Sequence, residues 1–561
     1  MTTRRELLVL IVACLVAYGT GLGDVAFYTR GEPREGLVVR EMLRTGAWVV
    51  PRRPEGEIAR KPPLYYWLAA PVARVLPSAP ELALRLPSAL VATATVIGTW
   101  GVARVAVGAG AALPAALVLA TTFEWTRAAT SARVDMVLAA SLALVLLGWL
   151  LLLAGESRRW LVAAAAGASL AALAKGPVGL ALPALAAAAY AAWQRDRTVL
   201  RRLGVVPVLA VAALVAAIWY VLAFAEQGSA FVQVVLEENL VRFIDTDDAR
   251  GHAHGPLYLP LLGLVGLLPW VPLLPLALPD RRAAPAVRFA ATWALVVFVF
   301  FSLANAKRSV YLLPAFPGLA LAIGAGIAAG GRPLARRLAV AYLPALVLLG
   351  AIAVALAAGL DPGVVLHRWL KPDDAHGASA VAAAAAGRAA LFVTLGLATI
   401  AGAALIERAR RAGDWKRLTF AVASSMVVWT AAFDGVIHPA VARTRSLGEF
   451  MASVDRLVPR DAELAVSFPV DPGLRFYAPR PLVPFDLSGA DAPRRVLLWE
   501  DEWQRIRDPR GDALPVLAAS KARQARRGSL ALVLAPAGAL RRTKPAEATT
   551  AEPGLRAAPV R

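Results

Sequence analysis

Cysteine is almost absent from this chain. Its 561 residues hold one, Cys14, which excludes an internal disulfide framework and any metal site built on cysteine. Cys14 falls inside the first apolar run, where it reads as a small lipid-facing residue. A fixed-period repeat is missing too, although Ala-rich stretches recur. Acidic residues are in deficit, 39 against 60 Lys and Arg, for a formal net charge of +21. In a soluble chain that excess would suggest nucleic acid. Here the cations sit in short clusters between apolar spans, as cytoplasmic loops require, and nucleic acid is not an expected partner.

What is abundant is apolar side chain. Hydrophobic residues make up 58% of the sequence and mean hydropathy is +0.58, more than soluble domains bury, in runs long enough to cross a bilayer. The chain reads as an α-helical polytopic membrane protein of about 13 spans, near residues 6–23, 83–104, 107–123, 135–154, 160–174, 177–194, 204–225, 256–278, 286–304, 309–329, 337–359, 387–406 and 418–437. The start, "MTTRRELLVLIVACLVAYGTGLG", has the basic beginning of a signal peptide but no clean small-x-small cleavage site, so it reads as an uncleaved first helix. Alternate short loops carry the arginines: Arg158 and Arg159, then Arg195, Arg197, Arg201 and Arg202, then Arg281 and Arg282, then Arg332, Arg336 and Arg337, then Arg408 to Arg417. That alternation places the N-terminus in the cytoplasm and the C-terminus outside the cell membrane.

From about residue 440 the pattern turns soluble. A helix-like "SLGEFMASVDRLV" precedes short β-type runs "AELAVSF", "RRVLLWE" and "SLALVLA", predicting a small extracytoplasmic α/β domain over 441–540. The last stretch, 541–561, lacks apolar periodicity and is expected to be disordered. The transmembrane domain, 1–440, gathers its polar motifs on the outer face. These include "TRGEPREGLVVREM" and "ARKPPLYYW" in a first external loop of about 24–82, then "SARVD", "AKGPVG", "EENLVRFIDTDDARGHAHGP" and "NAKRSVY".

"GEPREGLVVREMLRTGAWVVPRRPEGEIARKPPLYYWLAAP" resembles the first external loop of the aminoarabinose (lipid A) transferases, ArnT-like relatives of the protein O-mannosyltransferases in the GT-C glycosyltransferase family. "RLPSAL", "ARVDMVL", "LAKGPVGLALP", "EENLVRF", "HAHGPLYLPLLGLVGLLPW" and "FSLANAKRSVYLLPAFP" follow in order. The resemblance covers residues 5–320 well and the remainder in outline. It implies transfer of a sugar from a polyprenyl-phosphate donor, undecaprenyl phosphate, to an extracytoplasmic acceptor such as lipid A, another glycolipid or a protein, by a single inverting displacement. Such a donor needs an apolar bundle for its tail and cations at headgroup level. No nucleotide is needed, because the energy is stored in the sugar-phosphate bond.

The family assigns its base to an acidic residue of the first loop, at a pair that matches "GE" here. Gly31 stands where the first acid would be, leaving Glu32, with Glu35 one helical turn on. By themselves Glu32, Arg34 and Glu35 read as a solvated, salt-bridged loop. The resemblance makes Glu32 the expected base, with Asp135 a second external carboxylate that positions the acceptor or shares the role. The resemblance gives Lys61, with Arg60, the donor phosphate. Lys175, Arg34, and Lys307 with Tyr311 one turn on, are the other expected contacts. The lysines' alternative is snorkelling at the interface. Glu238 and Arg242 are expected to pair. His252 and His254 invite a metal reading, which is weak without a cysteine or a fixed carboxylate spacing. No cofactor is required, and the family's varied metal dependence leaves a divalent metal open. Trp67 and Trp270 read as interfacial aromatics. A transporter or flippase of lipid-linked sugars is the rival from another class. It would place ionisable residues at mid-membrane and break helices in corresponding halves.

Overall fold

The structure is a computed structural model that describes residues 2–238, 255, 258–280, 283–304, 307–459, 462–466, 468, 470–478, 480–484, 494–507, 512–524, 527–535 and 540–541. The chain divides into two compact units, residues 1–365 with 378–442, and residues 366–377 with 443–561.

The first unit is helical, and its centre is the helix Val134–Leu153. Twenty residues long, that helix carries one charge, Asp135 in its first turn, and is buried along nearly its whole length. Its partner Trp160–Lys175 approaches closely because Gly167 has no side chain: a Cβ there would lie 2.7 Å from the Ser141 carbonyl oxygen. Small residues at the crossing let dispersion forces act between backbones, which is what holds helices together in lipid. On the rim the pattern inverts. Val205–Gln227 is apolar all round and exposes Val206, Leu214 and Val221, the signature of a helix whose solvent is lipid.

Among the described residues eight helices are long and apolar enough to cross a membrane, or nine if one bent pair counts as a span. The expectation of about 13 differs from this for physical reasons. Three of the expected spans are shorter apolar helices, Ala109–Ala120, Trp160–Lys175 and Val178–Gln194. The first helix, Thr3–Gly19, has 17 residues. The expected span at 256–278 is bent by 102° between Tyr258–Gly266 and Val271–Ala277. Pro269 and Pro272 remove backbone donors at the break, and Pro275 lies within the 3-10 turn that follows. Proline acts likewise at Pro314, so the span Ser309–Ala328 opens as a 3-10 turn before it becomes α-helical at Phe316. Cys14 is buried, not lipid-facing, and Trp270 is also fully buried. Its indole N–H donates to Thr121 Oγ1 at 3.2 Å, so the break is fastened inside the bundle. Trp67 is half-buried and donates to the Trp48 carbonyl at 2.8 Å.

The second unit has the helix Gly448–Leu457 and a five-stranded mixed sheet. In spatial order the strands are Leu482–Pro484, Leu464–Val466, Arg494–Trp499, Gly528–Ala535 and Val516–Gln524. The first three are parallel and the last two antiparallel to their neighbours. Strand alternation gives both faces a core. Leu497 and Trp499 pack with Phe450, Met451 and Val454 of the helix, whereas Val496 and Leu498 pack with Ile506 and Leu514.

Candidate active site

The stretch "GEPREGLVVREM" is a helix, Gly31–Thr45, with an amphipathic face that buries Glu32, Glu35, Val38, Val39 and Met42. It stops at Gly46, whose φ of +73° is the left-handed conformation that glycine adopts freely, and the Gly46 N–H donates to the Met42 carbonyl at 2.9 Å.

Glu32, at the start of this helix, meets Arg85 of the helix Pro80–Ala106, in the "RLPSAL" motif. Arg85 Nε donates to Glu32 Oε1 at 2.8 Å and Nη2 to Oε2 at 3.1 Å. The remaining guanidinium nitrogen, Nη1, donates to the Leu22 and Val25 carbonyls at 3.1 and 2.6 Å, and the Phe27 ring lies 4.8 Å from the guanidinium carbon. A further donor, the Ala132 N–H, reaches Glu32 Oε1 at 3.0 Å. Glu32 is 6% exposed and Arg85 2%. Burial opposes the carboxylate charge, but the Arg85 guanidinium and the Ala132 N–H together hold its pKa below its ordinary 4.5. The arrangement is a clamp: it ties the strap from Leu22 to Phe27 and the turn before Asp135 to one ion pair.

The Ala132 contact places Asp135. Its Oδ1 accepts from Lys175 Nζ at 2.5 Å, and its side chain keeps 22% exposure. Lys175 is the last residue of its helix because Gly176, at φ +63°, ends it. Its ammonium also lies 4.2 Å from the centre of the Tyr311 ring. Glu35 is buried and fully engaged, accepting from Tyr66 Oη at 2.6 Å and from Arg34 at 3.1 and 3.3 Å. Burial works against the Arg34 charge, yet Glu35 leaves its pKa raised, with Tyr66 and Glu238 adding to the effect. Lys61 donates to Glu238, and its charge also acts on Asp135.

Asp135, Lys175, Tyr311, Lys61, Glu238, Arg34 and Glu35 therefore form one polar cluster, and Glu32 is buried on Arg85. Arg60 is exposed, with no hydrogen bond or ion pair among the described residues. Lys307 is buried, two residues before Ser309, which binds Glu124 and Arg127 at 3.1 and 3.2 Å. Glu238 pairs with Lys61; Arg242, its expected partner, lies outside the described residues, as do His252 and His254. Among the described residues no group of three or more His, Cys, Asp or Glu could hold a metal ion.

Sequence reasoning missed Arg85, Tyr66, and the Glu124–Arg127 pair. It also missed a chain from Tyr28 Oη to His438 Nε2 and from His438 Nδ1 to Asp434, each step 3.0 Å, which grips the strap from another side. Only the Glu124–Arg127 pair had a local signal, its i,i+3 spacing.

The bundle is similar in fold to ArnT from Cupriavidus metallidurans. The structure bound to undecaprenyl phosphate matches with a TM-score of 0.76 and 22% identity, covering 95% of this chain and 98% of that one. The apo state matches at 0.74 and 23%, covering 94% and 97%. This is the GT-C fold. A family model described as dolichyl-phosphate-mannose-protein mannosyltransferase matches residues 60–221. Three undecaprenyl phosphate-alpha-4-amino-4-deoxy-L-arabinose arabinosyl transferases are similar in sequence. That of Aeromonas salmonicida is 33% identical over 37% of this chain and 38% of its own length. For Pectobacterium atrosepticum the figures are 27%, 65% and 67%, and for Pseudomonas aeruginosa UCBPP-PA14 they are 30%, 58% and 60%. The chain is thus similar to ArnT in fold and to these transferases over part of its sequence, and it is a multi-pass membrane protein whose matches span from about two fifths to two thirds of these relatives' length.

Proposed function

We propose that this chain transfers a sugar, a pentose or hexose, from an undecaprenyl-phosphate carrier to an acceptor hydroxyl on the extracytoplasmic side of the inner membrane. The polar cluster is the observation that carries the reading. It puts Lys61 and Lys175 beside a partly exposed carboxylate, Asp135, at one end of an apolar bundle, with Arg34 held next to them by Glu35 and within the field of Glu238. The likeness to a protein solved with undecaprenyl phosphate supports the choice of donor.

In this reading Lys61, Lys175 and Tyr311 hold the donor phosphate, Arg34 backs them, and Lys307 and Arg60 belong to the same outer layer. An arriving phosphate takes the Lys61 ammonium over from Glu238. The base is Asp135. Glu32 has both oxygens engaged by Arg85 and the Ala132 N–H, which suits a support and not a proton acceptor. Glu35 is similarly committed, whereas Asp135 has Oδ1 on Lys175 and a partly exposed side chain. The acceptor oxygen attacks the anomeric carbon while Asp135 removes its proton. The bond from that carbon to the phosphate oxygen breaks, the electron pair leaves on polyprenyl phosphate, and the anomeric centre inverts. The acceptor is a glycolipid of the lipid A kind or a protein.

The test is reconstitution of the full chain in liposomes with undecaprenyl-phosphate sugars and lipid A or envelope protein acceptors, read by mass spectrometry. Release of undecaprenyl phosphate matched by a gain of one sugar mass on an acceptor is the expected result. Donor that moves between leaflets with its sugar intact would replace this reading with the transporter one.

A further inference from the structure

The span Ser309–Ala328 connects two different sites. Near its start, Tyr311 packs against Lys175 of the polar cluster. Just beyond its other end, some 30 Å away for a 20-residue crossing, opens a cavity of about 480 Å³ lined by Gly330, Gly331, Arg332, Arg336, Arg337, Arg410 and Trp415. The cavity therefore faces the opposite side of the membrane and belongs to a different chemistry.

Its floor is built. Gly330 and Gly331 run at φ +93° and +79° across the Trp415 indole, where a Cβ on Gly331 would lie 2.0 Å from Trp415 Nε1. Trp415 Nε1 donates to the Gly330 carbonyl at 2.9 Å. Three of the arginines are held in place by backbone carbonyls. Arg336 donates to the Arg411 carbonyl, and Arg410 donates to the Arg336 carbonyl at 3.2 Å. Arg332 donates to the Leu278 carbonyl at 2.5 Å. Two carboxylates accompany them. Glu407 binds Arg410 at 2.6 and 2.7 Å and Arg411 at 2.6 Å, and Asp280 lies 3.5 Å from Arg332. The Arg337 side chain makes no hydrogen bond or ion pair among the described residues. The cavity keeps an excess of positive charge, and all of it is arginine, whose planar fork suits phosphate oxygens. Beside it Leu278, Leu334 and Leu338 are exposed, offering an apolar surface at the level of the lipid.

We propose that this cavity binds the phosphodiester headgroup of an anionic phospholipid in the leaflet opposite the active site. Arg336 and Arg337 contact the phosphate, and the acyl chains lie along Leu334 and Leu338. Cations fixed between membrane helices next to exposed apolar side chains match a lipid headgroup better than a soluble anion, which would gain nothing from the leucines.

The experiment measures lipid retention by the delipidated full-length protein in neutral detergent, using native mass spectrometry and melting temperature. Phosphatidylglycerol, phosphatidylcholine and inorganic phosphate are added separately. Arg337→Gln and the double variant Arg336→Gln/Arg337→Gln are compared with the parent. Phosphatidylglycerol is expected to bind and raise the melting temperature, with affinity about tenfold lower in the double variant. Arg337→Gln, which breaks no internal bond, keeps the result interpretable if the double variant folds poorly, and is expected to weaken binding in the same direction. Equal binding of phosphatidylcholine, or unchanged affinity in both variants, overturns the proposal. Inorganic phosphate that displaces phosphatidylglycerol at similar affinity would overturn the lipid assignment and leave a soluble-anion site.

Discussion

Replacing Glu32 by glutamine separates the two roles a buried carboxylate near this cluster could play. In the structure Glu32 and Arg85 share two hydrogen bonds, with Arg85 only 2% exposed. Glutamine keeps the size of the side chain but removes its charge and turns an N–H₂ toward a guanidinium. Breaking a buried pair by removing one partner costs about 3–5 kcal/mol, because the other charge stays buried. Two backbone carbonyls and the Phe27 ring still serve Arg85 here, so the lower end, about 3 kcal/mol, is expected. For a helical unit of this size that corresponds to a melting temperature lower by roughly 3–6 °C. Glu32→Met with Arg85→Met should recover most of the loss, since the pair is then removed together. The assay is thermal unfolding of purified protein in detergent, with turnover measured well below the transition. If Glu32→Gln melts like the parent while turnover falls more than about a hundredfold, Glu32 is the base and the clamp reading is wrong.

Glu238→Gln should free the Lys61 ammonium for phosphate and tighten donor binding several-fold, whereas Lys61→Gln should weaken it by about tenfold; isothermal titration with the donor lipid checks both, and unchanged affinity in both would return Lys61 to a snorkelling role. Stability should also fall in acid. The lowered Glu32 pKa means that its contribution is complete above about pH 4.5 and is lost as pH drops through the folded-state value, so Glu32→Gln should flatten the acid limb of a melting-temperature profile. Gly331→Ala forces a Cβ into the Trp415 indole at φ +79° and should lower stability by more than about 1 kcal/mol, read by thermal unfolding. The expectation that the arginine-rich loops are cytoplasmic and residues 441–540 extracytoplasmic is checked by fusions: a C-terminal phosphatase should be active and a cytoplasm-only reporter silent, and the reverse would overturn the topology.

The sequence showed the class of fold because hydropathy and arginine clusters follow directly from the bilayer as solvent. It also showed the cluster's lysines and carboxylates, since a Lys before two prolines or an Asp opening a twenty-residue apolar helix stands out in one dimension. Length was less legible. Prolines at 269, 272 and 275 bend an apolar run that composition reads as continuous, and apolar segments such as Ala109–Ala120 form helices shorter than a full crossing. Least legible was which acids are buried and fully engaged. Glu32 and Glu35 look alike in "GEPRE", and the difference is set by Arg85, 53 residues away, and Tyr66, 31 residues away. The Tyr28–His438–Asp434 chain joins positions 410 residues apart at its first step, a separation that no local pattern encodes.

The central claim, that Asp135 takes the acceptor's proton while Glu32 supports the site, rests most directly on single-turnover rates for Asp135→Asn and Glu32→Gln with donor bound. Asp135→Asn should fall by at least about a hundredfold with donor affinity within a few-fold of the parent, and Glu32→Gln should keep most of its rate at a temperature where it is folded. A dead Glu32→Gln beside a working Asp135→Asn, both folded and both binding donor, would contradict it.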